Sequence, residues 1–282
     1  MNLIDCHTHT QYSMDSDADI IEMIEKAKEL NLSAYAITDH CECNCWYPES
    51  HYSENDIELS DYFDYQKDFE ASVSAITALK EKYKNFNLIC GTELGQILLA
   101  PEIAEKIVSD SRLDFVIASI HQIKYEKDFY YINYTQMSSK QINNLLERYF
   151  REIYQLCKWG KFDVLGHLTY CLRYMKIRNG INPSLSRFDE IIAESFRILA
   201  QNGKGIEINT SGIRQNFGTC FPSLKYIKLF RDLGGEIISI GSDAHKVSDL
   251  GANISDAIEL AKMAGFTKIC YFKNRKPNFI DI

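Results

Sequence analysis

Residues 3–9 read LIDCHTH, a short apolar run that ends on two histidines two positions apart. A run this short and this apolar predicts a buried parallel strand over 3–5. Side chains alternate with a period of two along a strand, so His7 and His9 point to the same face at its carboxyl end. Two imidazoles on one face suit one metal ion. Residues 237–245, IISIGSDAH, repeat the arrangement late in the chain, with Asp243 and His245 two apart after the apolar run 237–240.

Working outward, similar apolar runs stand at 34–38, 87–90, 115–119, 164–166 and 205–208. Amphipathic segments at 18–30, 64–84, 138–159, 189–201 and 224–233 lie among them with apolar positions near helical spacing. A last unit follows as a helix over 254–264, stopped at Ala264 and Gly265, and a strand over 268–272. Seven or eight β/α units result. Such alternation closes most naturally into an α/β barrel, although a doubly wound open sheet has the same linear pattern. In both, ligands gather at the carboxyl ends of the strands.

The composition is that of an ordinary globular protein, with 45% hydrophobic and 25% charged residues among 282. No Pro-rich or Ser-rich linker interrupts the series, so residues 1–282 are expected to form a single domain. The net charge of -8 argues against a surface built to grip nucleic acid, while a local cationic pocket for one small phosphate remains compatible with it. The opening MNLIDCHTH has no basic n-region, and no stretch reaches the ~18 apolar residues of a membrane span, so the expected setting is the cytoplasm. Nine cysteines, an odd number with Cys6, Cys90 and Cys270 inside apolar runs, suit a reducing compartment. Cys41, Cys43 and Cys45 in CECNC lack the pair spacing of structural zinc and read as ordinary thiols in a loop beside the site.

The remaining strand ends are polar. His40 ends ITDH, Glu93 stands in CGTELG, His121 follows FVIASI and His167 follows DVLG. One histidine in such a place is usually a hydrogen-bonded core residue; six of the seven placed alike, with only His51 left over, point to metal. Imidazoles with carboxylates suit Zn, Mn or Fe, and the number of His/carboxylate sets exceeds one ion, so two to three divalent metal ions are expected, with Glu93 able to bridge.

The motifs HTH, TDH, GTELG, SIHQ, GHL and GSDAH resemble, in this order and over nearly the whole chain, those of the polymerase and histidinol phosphatase (PHP) superfamily. Within it, YSMDS at 12–16, INTSG at 208–212 and YFKNRKP at 271–277 are most similar to the monofunctional histidinol-phosphatases. The resemblance implies a distorted (β/α)7 TIM-like barrel with a trinuclear centre. It implies His7, His9, Glu93 and Asp243 at the first metal, with Glu93 bridging to a second completed by His121 and His167. Asp15, His40 and His245 then serve the third.

Asp15 sorts subgroups, since some relatives carry histidine there. It also reads as an acid ahead of a helix, although Asp17 or Asp19 suits capping better. Arg173 in GHLTYCLRY and Arg214 in NTSGIRQ resemble the arginines of the family's phosphate pocket, where a guanidinium grips oxygens bidentately; Arg178 is the less favoured substitute. With Asp243 and His245 they make the expected catalytic set.

The implied reaction is hydrolysis of L-histidinol phosphate in histidine biosynthesis, by water whose pKa a metal lowers from ~15.7 towards ~7. Glu42 and Glu207 are positions to consider for the substrate's amine or ring. The segment 41–61, with Trp46, Tyr47, His51 and Tyr52, is a possible cover. Competing readings are a broad-specificity sugar or nucleotide phosphomonoesterase, a phosphodiesterase or 5′-3′ exonuclease, and a metal-binding protein without turnover. Acidic charge counts against the nuclease, and completeness of the ligand set against the inert binder.

Overall fold

The computed structural model describes residues 3–47, 49–54 and 63–282. Eight strands form its main sheet: β1 (Ile4–Asp5), β2 (Ala34–Ile37), β3 (His40–Glu42), β4 (Leu88–Gly95), β5 (Phe115–Ser119), β6 (Val164–Leu165), β7 (Gly205–Asn209) and β8 (Ile238–Gly241). All pair in parallel, in the order β1-β2-β4-β5-β6-β7-β8. β3 also pairs with β4, where His40 lies opposite Glu93, while β2 runs beside the start of β4. β2 and β3 are thus two parts of one barrel position. The break falls at Thr38 and Asp39, whose carbonyls both accept the Glu93 N–H.

Seven positions remain, and the seam between first and last is joined. Cys6 N–H donates to the Ile240 carbonyl at 2.8 Å, Asp243 N–H donates to the His7 carbonyl at 2.8 Å, and Thr8 bridges Ala244 in parallel. Sequential neighbours with no reversal of strand order distinguish this barrel from a doubly wound sheet. The expected seven-stranded TIM-like barrel is the observed fold. β2, β4, β5, β7 and β8 are buried along their whole length, which is why they read as largely apolar runs, broken in β4 and β7 by the buried Glu93 and Glu207.

Ten helices accompany the strands among the described residues: α1 (Ile20–Glu29), α2 (Glu49–Glu54), α3 (Tyr65–Lys82), α4 (Pro101–Val108), α5 (Ser139–Trp159), α6 (Arg173–Asn179), α7 (Asp189–Gln201), α8 (Ser211–Arg214), α9 (Leu224–Asp232) and α10 (Ile254–Met263). Local signals set their ends. Ser138 and Gln141 form a reciprocal capping box at the start of α5, and Gly160, at φ 62°, ends it in the left-handed region. Asp19 caps α1 by accepting the N–H groups of Ile21 and Glu22, which leaves Asp15 outside that role.

The eighth unit departs from expectation. Its strand, β9 (Lys268–Lys273), exists but leaves the barrel and pairs antiparallel with β10 (Lys276–Asp281). Asn274 and Arg275 both take positive φ, the backbone that a two-residue hairpin turn requires. That turn is fastened to the amino ends of the barrel strands. Asn274 N–H donates to Asp114 just before β5, and Arg275 Nε donates to Asp163 just before β6. No helix among the described residues is long and apolar enough to cross a membrane.

Candidate metal centre

Every expected ligand projects from the carboxyl pole of the barrel or the loop just beyond it. His7 and His9 follow β1, His40 opens β3, Glu93 lies in β4, His121 follows β5, His167 follows β6, and Asp243 and His245 follow β8. The structure brings them into four donor groups: His9, His40 and His245; His7, His9 and Asp243; His7, Glu93 and His167; His40, Glu93 and His121. Within each group the ligand atoms lie within 4.8 Å of one another. His7, His9, His40 and Glu93 each belong to two groups, so the four are one continuous cluster. Asp15 closes its outer side, 3.6 Å from His40 Nε2 and 3.2 Å from His245 Nε2.

Partners behind the rings fix their orientation. His7 Nδ1 is 2.7 Å from Glu207 Oε1, and His121 Nδ1 is 2.7 Å from Glu42 Oε1. Ser13 donates its hydroxyl to Asp39, so its oxygen accepts from His9 Nδ1 at 3.1 Å. His245 Nδ1 donates to the Asp243 carbonyl at 3.0 Å. A proton held on Nδ1 leaves Nε2 as a bare lone pair aimed at the centre, the arrangement that metal-binding histidines need.

The donors fit divalent ions. His7 Nε2 and His9 Nε2 are 3.1 Å apart, and His121 Nε2 and His167 Nε2 are 3.4 Å apart. Lone pairs this close repel unless a positive charge lies between them. His40 Nδ1 and Glu93 Oε2 are buried 3.0 Å from one another with no hydrogen-bond partner. Nitrogen and oxygen donors of this kind suit zinc, manganese or iron.

Proton affinities report the same negative field. Burial pulls His7, His40 and His121 down, yet neighbouring carboxylates more than reverse it, and His40 is pushed up to about 9. His9 and His167 are lowered, chiefly by burial. Burial pushes Glu93 and Asp243 up, but the surrounding imidazoles hold both well below the usual carboxylate range.

Asp243 adopts φ 55°, a left-handed conformation that aspartate tolerates better than most residues. Arg214, ending α8, fastens this turn: Nη1 donates to the Ser242 carbonyl at 2.8 Å and Nη2 to the Asp243 carbonyl at 2.9 Å. Arg173, opening α6, is buried, with Nη2 donating to Ser211 at 2.7 Å and to Asp243 Oδ2 at 3.0 Å. The Tyr170 and Phe221 rings lie 5.0 Å from its guanidinium carbon, and its Nε is buried with no partner. Both arginines line a cavity of about 670 Å³ over the cluster. Arg178 instead stacks on Tyr130 at 3.9 Å and donates to that residue's carbonyl.

Two expectations change, those for Glu207 and for the segment 41–61. Glu207 contacts no open space: Oε1 serves His7 and Oε2 accepts the His167 N–H at 2.9 Å, so it positions ligands rather than substrate. Within 41–61, residues 48 and 55–61 lie outside the described residues. Trp46 and Tyr52 are buried, the former 5.8 Å from Phe69, and do not cover the cavity. All nine cysteines are buried and none is in a disulfide; burial pushes the Cys41 and Cys43 thiols well up, which suits no thiolate metal site. Sequence reasoning missed Ser13 and Asp39 as supports, although Asp39 stands inside TDH.

The model of the family described as PHP domain matches residues 5–211. A probable histidinol-phosphatase of Clostridium acetobutylicum is 26% identical over 279 residues, covering 96% of this chain and 97% of its own. The histidinol-phosphatase of Lactococcus lactis subsp. lactis is 27% identical over 282 residues, covering 98% and 96%. Among solved structures, the L. lactis histidinol phosphate phosphatase complexed with zinc, L-histidinol and phosphate has a TM-score of 0.72 at 24% identity, covering 98% of this chain and 99% of that one, and it shares the fold. On the strength of the family match and the barrel it predicts, this chain belongs to the PHP domain family.

Proposed function

We propose that this protein is a metal-dependent histidinol-phosphatase that hydrolyses L-histidinol phosphate to L-histidinol and inorganic phosphate. The observation that carries the reading is the convergence of nine His and carboxylate residues at one barrel pole, beneath a cavity that also holds the buried Arg173. Two relatives aligned over nearly the whole chain bear the name histidinol-phosphatase, which supports the choice of substrate.

His7, His9, Glu93 and Asp243 would hold one ion; Glu93, shared with His121 and His167, a second; Asp15, His40 and His245 a third. Bound zinc, manganese or iron lowers the pKa of coordinated water and polarises phosphoryl oxygens, so that an in-line displacement needs no covalent enzyme intermediate.

The chain's own residues set the geometry. Arg173 presents a fixed guanidinium to the phosphoryl oxygens and stabilises charge as it develops there. Its bond to Asp243 holds both groups in place before substrate arrives. Arg214 acts by anchoring the backbone that carries Asp243 and His245. A cavity of about 670 Å³ accepts one small monoester. The reading extends to one domain at work in the reducing cytoplasm, in histidine biosynthesis, a setting that nine buried cysteines outside any disulfide support.

The experiment is phosphate release from L-histidinol phosphate, p-nitrophenyl phosphate, a nucleotide and a short oligonucleotide. A preference of about 100-fold or more for histidinol phosphate is expected, worth about 2.7 kcal/mol of differential binding. A sugar or nucleotide ester that matches it would make the protein a broad phosphomonoesterase instead.

A further inference from the structure

The two oxygens of Glu93 face different neighbours. Oε1 lies 2.7 Å from His167 Nε2 and 3.2 Å from His121 Nε2. Oε2 lies 3.2 Å from His7 Nε2, 3.6 Å from His9 Nε2 and 3.0 Å from His40 Nδ1. The last torsion of a glutamate is broad and its oxygens are chemically equal, so nothing in the side chain itself keeps this division.

One hydroxyl tells the oxygens apart. Ser119, at the end of β5 and 1% exposed, donates to Glu93 Oε1 at 2.6 Å. A bond this short to an ionised acceptor is among the strong ones. Ser119 stands two residues beyond Ile117, the register partner of Glu93, so its side chain shares their interior face. Room for the hydroxyl comes from the next barrel position. Gly166 N–H donates to the Ala118 carbonyl, and a Cβ on Gly166 would fall 2.5 Å from Ser119 Oγ and 2.8 Å from Ile117 Cγ2. Gly166 does not take positive φ, so the missing side chain, not the backbone, is what the site uses. The serine of SIHQ and the glycine of GHL thus serve one contact.

We propose that Ser119 is a positioning residue that holds Glu93 as a bridge between two ions, one oxygen to each, and keeps both oxygens from closing on a single ion. The inference rests on the metal-dependent reading of the cluster and is independent of the choice of substrate. By taking one lone pair of Oε1, the hydroxyl leaves the other for the ion of His121 and His167 and draws charge from that oxygen. Oε2, buried with no hydrogen-bond partner, is left to the ion of His7 and His9.

The test loads wild type, Ser119→Ala, Gly166→Ala and Ser195→Ala with manganese. Ions per chain are counted by native mass spectrometry against graded chelator, beside electron paramagnetic resonance of the same samples. Ser195→Ala is the control, since it removes an equally buried hydroxyl whose bond is to the Ile191 carbonyl in α7, away from the cluster. Ser119→Ala should give up one ion at about 10-fold lower chelator concentration and lose the spin coupling that a carboxylate bridge transmits between two manganese ions. Its metal-free melting temperature should stay within about 4 °C of wild type. Gly166→Ala should repeat the loss by displacing the hydroxyl; if it does not fold, Ser119→Ala decides alone. Wild-type ion retention and coupling in Ser119→Ala, an equal change in Ser195→Ala, or a wild type without coupled ions overturns the proposal. A wild type that binds the ions yet leaves histidinol phosphate intact sinks the substrate reading alone, and the ion count in Ser119→Ala then still decides the bridge.

Discussion

His7 Nδ1 and Glu207 Oε1 meet at 2.7 Å from positions 200 residues apart, with the strand β8 passing between the strands that carry them. Gly241 on β8 makes this possible, because a Cβ there would lie 2.2 Å from His7 Cβ and 2.6 Å from Glu207 Oε1. The pair fixes which His7 nitrogen faces the donor cluster.

Glu207→Gln keeps the shape of this contact and removes its charge. Metal affinity should fall about 10–100-fold, the usual effect of losing a carboxylate behind a metal-binding histidine. Metal content after dialysis against graded chelator, read beside the melting temperature, checks this. Wild-type retention would show that Glu207 only fills space.

Asp15→Asn should remove one ion and leave the others. Asp15 touches His40 and His245, and α1 is capped by Asp19, so stability should change little. A fall of about 100-fold in kcat/KM is expected, about 2.7 kcal/mol. Mass spectrometry of the intact protein counts the ions; an unchanged count would move Asp15 out of the ligand set.

Chelator sensitivity should depend on pH. In chelated protein, imidazoles of raised pKa contribute stability that is fully present below the ordinary value of 6.5 and lost as pH rises through about 9 for His40. Glu93 and Asp243, held low, contribute stability present above the usual carboxylate values and lost only in strong acid. Metal competes with the imidazole protons, so affinity should rise over the same interval. The melting-temperature gap between loaded and chelated protein should therefore widen from pH 6 to pH 9. A constant gap would contradict the ligand roles of these histidines.

Arg173→Lys replaces a fixed fork with a mobile point charge and leaves the Ser211 and Asp243 contacts incomplete. A loss of about 10²–10³-fold in kcat/KM should follow on every phosphate ester, with weaker inhibition by inorganic phosphate. Arg178→Ala, at a residue stacked on Tyr130 and Tyr174, should stay within about 2-fold. Equal effects at both positions would deny Arg173 its special place.

Much of this was legible because buried parallel strands leave continuous apolar runs, and the barrel's working pole follows each run directly. His7, His40, His121 and His167 could be placed in that way. β3 could not: His40, Cys41 and Glu42 carry no apolar pattern, and their strand exists only through pairing with β4. The strand at 268–272 was located, but its escape from the barrel depends on the backbone at Asn274 and Arg275. Glu207 stands behind His7 and His167 rather than at the cavity, and the bond of Glu42 to His121 is likewise invisible in the sequence, since contacts over 200 and 79 residues leave no trace in local spacing.

The most direct measurement is metal-dependent phosphate release from L-histidinol phosphate by the wild-type protein, by chelated protein titrated back with zinc or manganese, and by a His7→Ala/His9→Ala variant. Turnover should vanish on chelation, return with added metal, and remain absent in the variant. Turnover that survives chelation and the loss of both histidines would contradict the claim that this cluster, through its metals, carries the reaction.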